Sequence, residues 1–157
     1  MGLAKTELLS EFCKRVGNKL GKGFSENVYQ EGIALMLRRN KMDYSKEVVL
    51  QIKMDDIVIG NVRADIVLPD DEIVIECKAI DSNLKPSHAP QLINYLEILN
   101  YEFGILVNFN QNPSKDFVEI VIIKKELENT YSVHFADKVC MMSNKGILIE
   151  NNKCDAD

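Results

Sequence analysis

The chain lacks the features that would place it in a membrane or in a disulfide-rich secreted class. No apolar run approaches the roughly 20 residues that a transmembrane helix needs, and the segment MGLAKTELLSEF has no uninterrupted apolar stretch of the signal-peptide kind. The four cysteines, Cys13, Cys77, Cys140 and Cys154, lie far apart without a C-x-x-C pair. We therefore expect reduced thiols, no zinc site, no membrane partner and an intracellular protein, cytoplasmic or nucleoid-associated.

The chain also lacks an excess of positive charge. Its net charge of −5 argues weakly against nucleic acid as a partner, because phosphate binding depends largely on Lys and Arg. The average hides an asymmetry, since residues 1–46 hold nine Lys and Arg against five Asp and Glu, whereas residues 47–84 hold three against nine. The acidic centre is either a solvated surface or a place for a divalent cation, which carboxylate oxygens bind well.

Hydrophobic periodicity predicts an α/β protein. Apolar residues at three-to-four-residue spacing indicate helices over 4–20, from Ser25 onward and from Gln91 onward, and β-branched runs indicate five strands. The predicted order is αα-βββ-α-ββ, with a mixed central sheet flanked by helices and its first three strands joined as an antiparallel meander. We expect one domain over 1–128 and a partly irregular extension over 129–157 that ends in a frayed tail.

Three charged residues interrupt these apolar strands. The strand period of two places Glu76 and Lys78 on one face and Cys77 on the other. The turn Pro69-Asp70-Asp71 lies about midway between Asp65 and Glu76, so a hairpin can bring Asp65 opposite them. Buried charges are costly unless they are paired or bind a metal, so this grouping requires an explanation.

The three charges permit two explanations. Phosphodiester hydrolysis needs carboxylates that hold a divalent ion and a cation that orients the nucleophile or stabilises developing charge. The alternative is an internal salt-bridge trio, and an isolated D…E-x-K match favours that alternative because such short patterns recur by chance. The surrounding sequence has to decide.

Four segments in order supply that context. GFSENVYQEG, VRADIVL, IECKAI and HAPQLINYL follow one another as in the GxxExxY proteins, a branch of the PD-(D/E)xK nuclease superfamily, and the resemblance extends over residues 20–112. The residues that carry it are Gly23, Glu26, Tyr29, Arg63, Ala64, Asp65, Glu76, Lys78, Ala79, His88, Gln91, Asn94 and Tyr95. The resemblance implies a restriction-endonuclease-like core.

The resemblance also implies roles for the site residues. Asp65 and Glu76 would be metal ligands, Lys78 would lie beside the attacking water, and the main-chain carbonyl of Cys77 would be a further ligand. Glu26 is similar to the helix carboxylate that completes the site in related nucleases, or else it caps its helix.

Gln91 and Tyr95 lie four residues apart and resemble the Q-x-x-x-Y element of RecB-like exonucleases, which implies that they position the substrate. Alternatively, Tyr95 belongs to the core and Gln91 caps the helix. His88 is equally consistent with a turn residue and with a phosphate contact. The RecB-like exonucleases associated with CRISPR systems carry an iron–sulfur cluster on cysteines, whereas the cysteines here are too few and wrongly spaced, so we expect no cluster.

We therefore expect a Mg²⁺- or Mn²⁺-dependent nuclease, a DNA exonuclease acting on single- or double-stranded DNA as a homodimer. The rival is a catalytically inactive module that binds nucleic acid or protein, and RNA cleavage also stays open. Arg38 and Arg39 fit a solvated helix end equally well as a DNA contact. The candidate nucleic-acid contacts are Lys19, Lys22, Arg38, Arg39, Arg63 and His88.

Overall fold

The computed structural model describes residues 2–148 and residue 154. The helices are α1 (Gly2–Leu20), α2 (Glu26–Arg39) and α3 (Pro90–Leu99), and a short 3₁₀ turn (Pro86–His88) precedes α3. The strands are β1 (Ser45–Met54), β2 (Ile57–Leu68), β3 (Ile73–Lys78), β4 (Phe103–Phe109), β5 (Val118–Leu127), β6 (Thr130–His134), β7 (Val139–Ser143) and β8 (Gly146–Ile147). Within the described residues, no helix combines the length and apolarity needed to cross a bilayer.

Over the described residues, the strands form one mixed sheet of eight in chain order, β1 to β8. Neighbouring strands are antiparallel except β3 and β4, which are parallel and therefore need a crossover, which α3 provides. The predicted mixed α/β class is confirmed. The predicted order αα-βββ-α-ββ stops at β5, however, whereas the structure continues with β6, β7 and β8, and the boundary predicted at residue 128 falls in the turn between β5 and β6.

Two apolar cores lie on opposite faces of the sheet. Helices α1 and α2 cover one face, where Ile75 and Val107 are buried, and α3 covers the other, where Val74 and Leu106 are buried. Because both faces are covered, β4 is buried along its whole length and β3 up to its last residue. This agrees with the uninterrupted apolar runs of these strands.

The prediction of reduced thiols is wrong for two of the four cysteines. Cys140 in β7 and Cys154 form a disulfide, with their Cα atoms 5.5 Å apart. They are separated by 14 residues in sequence, and the return of the chain after β8 toward β7 is a tertiary feature that cysteine spacing does not reveal. Cys13 and Cys77 are free and buried. The predicted frayed tail, apart from Cys154, lies outside the described residues.

The hairpin of β1 and β2 extends beyond β3. Pairing between β2 and β3 is confined to the three pairs from Leu68 with Ile73 to Ile66 with Ile75, whereas β1 and β2 stay paired out to Met54 with Ile57. The far part of this hairpin, residues 49–62, is called the hairpin arm below. Its tip turns through Asp55 and Asp56, whose φ angles of 52° and 64° match a tight two-residue hairpin turn.

Candidate active site

Asp65 and Glu76 lie where the pairing of β2 and β3 ends. The last pair of the ladder is Ile66 with Ile75, so Asp65 and Glu76 come next and face each other across the gap. The Cys77 N–H donates to Asp65 Oδ2 at 2.8 Å, and the Asp65 N–H donates to Glu76 Oε1 at 3.4 Å. At this end of the ladder, side-chain carboxylates therefore accept hydrogen bonds from main-chain N–H groups, in place of main-chain carbonyls. The predicted approach of Asp65 to Glu76 is confirmed.

Burial governs the protonation of this pair. Only 5% of Glu76 is exposed, and burial, followed by the charge of Asp65, raises the pKa of Glu76 well above its ordinary range. Burial also raises the pKa of Asp65, although the hydrogen bond from the Cys77 N–H opposes this shift. The hydrogen bond between the two side chains raises the pKa of Glu76 and lowers that of Asp65, which favours a proton on Glu76 with Asp65 accepting.

Lys78 and Glu26 complete the charged group. Lys78 is half-buried at the end of β3, and its positive charge lowers the pKa of Glu26, Asp65 and Glu76 against the larger effect of burial. Glu26 is the first residue of α2, and its carboxylate accepts a hydrogen bond from the Ala79 N–H just after β3. Glu26 therefore reaches across to the site.

The three residues of the GxxExxY pattern have different tasks. Gly23 has a φ of 104°, a left-handed conformation that favours glycine, in the turn before α2. The Tyr29 ring stacks on Phe109 with centroids 4.3 Å apart, and its hydroxyl donates to the Gly21 carbonyl at 2.7 Å. Only the glutamate of the pattern enters the site, while the glycine and the tyrosine fix the start of α2.

Gln30 is a site residue that the sequence reasoning missed. Its buried side-chain amide donates to the main-chain carbonyl of Asp65 and to Glu47 Oε1, both at 3.1 Å. Glu47 lies opposite Asp65 on β1 and has a φ of 54°, which few non-glycine residues adopt. The available signal was that Gln30 follows Glu26 by four residues and so shares its helix face.

Tyr95 is both a core residue and a neighbour of the carboxylates. It is buried, and its hydroxyl donates to the Arg63 carbonyl at 3.0 Å and accepts from the exposed Gln91 side chain. Burial, then the charges of Glu76 and Asp65, raise the pKa of Tyr95 to about 12. Gln91 is therefore bound to a tyrosine that lies near both carboxylates.

His88 belongs to the 3₁₀ turn before α3. Its Nδ1 accepts from the Lys85 N–H at 2.9 Å, which fits the turn role. Burial and the positive charges of Lys78 and Lys85 lower its pKa, so His88 also lies within electrostatic reach of the site.

The loop that follows β3 is fixed by buried polar groups that the sequence did not single out. Asn108 Oδ1 accepts from the Ile80 N–H at 3.0 Å, and its amide donates to the Ser82 carbonyl at the same distance. The Glu119 carboxylate accepts from the Leu84 N–H at 2.9 Å. These bonds hold the segment between Lys78 and His88 against β4 and β5.

Two of the candidate DNA contacts are bound to neighbouring groups. The Lys22 ammonium donates to the Asn110 carbonyl at 2.6 Å and lies 4.7 Å from the centre of the Phe117 ring. Arg38 donates to the Tyr44 hydroxyl at 2.5 Å at the exposed end of α2. Both interactions would have to loosen before these side chains met a phosphate.

The other candidate contacts occupy two places. Arg63 is exposed and pairs with Glu47 at 3.7 Å, which puts it beside the site. Lys19 and Arg39 line a groove between α1 and α2. The structure therefore does not gather the six basic candidates on one surface around the carboxylates.

The donor set fits a hard divalent cation. Among the described residues, no three His, Cys, Asp or Glu side chains form a group that could hold an ion. The set at the end of the ladder is instead two carboxylates, Asp65 and Glu76, with the main-chain carbonyl of Cys77 directly after Glu76 in sequence. The buried Glu76 and the half-buried Asp65 offer oxygen ligands to a cation that would replace the proton between them.

Comparisons with known proteins place the chain in a family. The family model of the PD-(D/E)XK nuclease superfamily matches residues 4–120, and the chain therefore belongs to this superfamily. Members of this superfamily are nucleases that usually use divalent metals.

No curated protein matches the chain at a significant level. A solved structure titled "Crystal structure of SSO0001" is similar at 27% identity with a TM-score of 0.47, over 64% of this chain and 51% of that chain. This chain thus spans about half the length of that structure.

Proposed function

We propose that this protein is an intracellular Mg²⁺- or Mn²⁺-dependent deoxyribonuclease of the GxxExxY type, related to the RecB-like exonucleases. It acts as an exonuclease on single- or double-stranded DNA. The observation that supports the proposal most strongly is the approach of Asp65 and Glu76 at the end of a ladder, beside Lys78. A salt-bridge trio does not describe this group, because none of the ion pairs among the described residues joins Lys78 to Asp65 or Glu76.

Asp65, Glu76 and the Cys77 carbonyl would hold the cation, and Glu26 would have to move closer to add a third carboxylate. When bound, the cation polarises the scissile phosphate and lowers the pKa of water. Lys78 orients the attacking water and stabilises the negative charge that develops on the phosphate.

Outer residues keep this arrangement in place. Gln91, held by the Tyr95 hydroxyl, positions the nucleotide next to the scissile bond, and Arg63 contacts the backbone beside it. Gln30 fixes the main chain at Asp65 from the side of α2. We also propose that two copies act together, since a small domain gains grip on a polymer by binding it twice.

The test is an assay of end-labelled single- and double-stranded DNA with Mg²⁺, Mn²⁺ or EDTA. We expect nucleotide products that shorten the DNA from its ends with either metal and none with EDTA. Asp65→Asn and Glu76→Gln should each lower the rate by about a thousandfold or more, because each removes a charged ligand while keeping the shape of the side chain.

Asp70→Asn, an exposed residue in the turn between β2 and β3, is the matched control and should keep the wild-type rate. Equal rates in wild type, Asp65→Asn and Glu76→Gln would assign the activity to a contaminant. Tight binding without products under every metal condition would favour the inactive module, and cleavage of RNA alone would overturn the choice of DNA.

A further inference from the structure

The tip of the hairpin arm exposes apolar side chains around an acidic turn. Met54, Ile57 and Ile59 are 62%, 66% and 59% exposed, although large apolar residues of this kind are normally buried. Asp55 and Asp56 lie between Met54 and Ile57 and are also exposed. The hairpin tip, residues 54–59, is therefore an apolar surface that carries two negative charges, and the exposed Lys53 directly precedes it.

A groove that is also apolar but carries positive charge lies between α1 and α2. It has a volume of about 920 Å³, and no acidic residue lines it. Arg15, Lys19 and Arg39 provide its positive charges. Its apolar lining is Val16, Leu20, Leu35 and Met36. The groove thus suits an apolar segment that carries negative charge.

We propose that the hairpin tip of one copy of this chain docks in the α1–α2 groove of a second copy. The apolar side chains at the tip pack on the apolar lining, and Asp55 and Asp56 meet Arg39 and Lys19. Reciprocal docking forms the same contact twice and closes a two-fold dimer, which an isolated contact of this kind would not do. The exposed arm thereby buries apolar area that a two-stranded ribbon cannot cover alone.

Charge selects this occupant over others. The two aspartates at the tip repel nucleic acid and anionic lipid, so the tip needs an apolar and basic partner. In the groove, phosphates would be matched by the basic side chains but not by the four apolar ones, two of which, Leu35 and Met36, follow each other on α2. The hairpin tip satisfies both requirements, and it belongs to the same chain.

Sedimentation velocity and light scattering, without metal or nucleic acid, test the dimer. The wild-type chain should change from one-chain to two-chain mass over about a hundredfold range of concentration. The arm variant Asp55→Lys/Asp56→Lys and the groove variant Lys19→Glu/Arg39→Glu should each raise the dissociation constant by at least about a hundredfold, because like charges then face each other in both contacts.

Mixing the two variants is the decisive measurement. A lysine tip then meets an acidic groove, and an aspartate tip meets a basic groove, so a one-to-one mixture should regain an affinity within about tenfold of wild type. Asp137→Lys, at an exposed loop position, is the charge control and should leave the dissociation constant unchanged. Asp55→Asn with Asp56→Gly removes the charge while keeping residues that suit the turn, and it should weaken association.

A one-chain mass for wild type up to the limit of its solubility would overturn the proposal. So would association that survives both reversals, or a mixture that stays monomeric while circular dichroism shows both variants folded. The docking proposal rests on the homodimer proposed above and names its contact surface, but its test does not require nuclease activity. A monomeric mass would overturn the docking proposal without affecting the result of the DNA assay. An inactive protein in the DNA assay would overturn the proposed nuclease function without affecting the mass measurement.

Discussion

The acidic pair at the hairpin tip and the acidic pair at the end of the β2–β3 ladder contain the same functional group in opposite surroundings. Asp55 and Asp56 project into solvent from a two-stranded ribbon, whereas Glu76 is 5% exposed and Asp65 is half-buried between α2 and α3. Water stabilises the first pair. The second pair lacks that water and depends on a shared proton, backbone N–H groups, Lys78 or a cation.

This difference explains why only one of the two pairs suits catalysis. A carboxylate in water binds a cation weakly, because it must give up its hydration to do so. At the end of the ladder Glu76 has already lost that hydration and Asp65 has lost part of it, and the apolar strands β3 and β4 hold the geometry. Three predictions test whether the buried surroundings, rather than the carboxylates alone, produce the proposed activity.

Lys78→Ala should have the largest effect of the three. Turnover should fall by about a hundredfold, because in the proposed mechanism the ammonium acts on the attacking water and the developing charge. Metal affinity should change much less, because an ammonium is not a ligand. Nuclease kinetics and metal titration by calorimetry measure the two effects separately, and Lys53→Ala on the exposed arm should change neither. A fall in metal affinity as large as the fall in turnover would show that Lys78 serves only to balance charge.

Gln30→Leu should lower kcat/KM by about tenfold, as expected when a group that orients a ligand is lost. The substitution keeps the volume but leaves the buried carbonyl of Asp65 without its donor, at about 1–3 kcal/mol of stability. Gln51→Leu, on the exposed face of the arm, is the matched control. Denaturant unfolding with the nuclease assay separates the two effects, and a wild-type rate in a destabilised but folded protein would make Gln30 purely structural.

The pH dependence of stability should show the smallest effect. Burial and the charge of Asp65 raise the pKa of Glu76 from 4.5 to about 9. Between these two pH values, Glu76 is ionised in the unfolded chain but stays protonated in the metal-free folded protein. The contribution of Glu76 to the free energy of unfolding is therefore complete below about pH 4.5 and is lost as the pH rises toward 9. We expect the melting temperature of the metal-free protein to fall by several degrees from pH 5 to 9.

Two additions sharpen this measurement. Glu76→Gln should flatten the pH dependence, and Mg²⁺ should restore stability at pH 8 by binding the ionised pair. Asp55→Asn at the hairpin tip should keep the wild-type slope. A metal-free melting temperature that rises with pH over this range would contradict the inferred state of Glu76.

Much of the fold was predictable because it depends on local periodicity. The apolar spacing identified α1, α2, α3 and the strands up to β5, and the strand period with the turn at Pro69 brought Asp65 to Glu76. The strands β6 to β8 were not predicted, because they are short and partly exposed. Their apolar and polar residues therefore alternate too weakly to indicate a strand. The roles of Gln30 and Asn108 were not predicted, because the role of a buried amide depends on its hydrogen-bond partners. Those partners lie far away in sequence.

The sequence by itself determined the alternation of helix and strand and the residue types of the site, because both depend on spacings of a few residues. The tertiary structure alone decided which of the acidic groups lose their water, which buried amides hold them, and that Cys140 meets Cys154. Desolvation, hydrogen bonding and disulfide formation require particular atoms to be within a few ångströms of each other. Only the folded sheet, with helices on both faces, brings those atoms together.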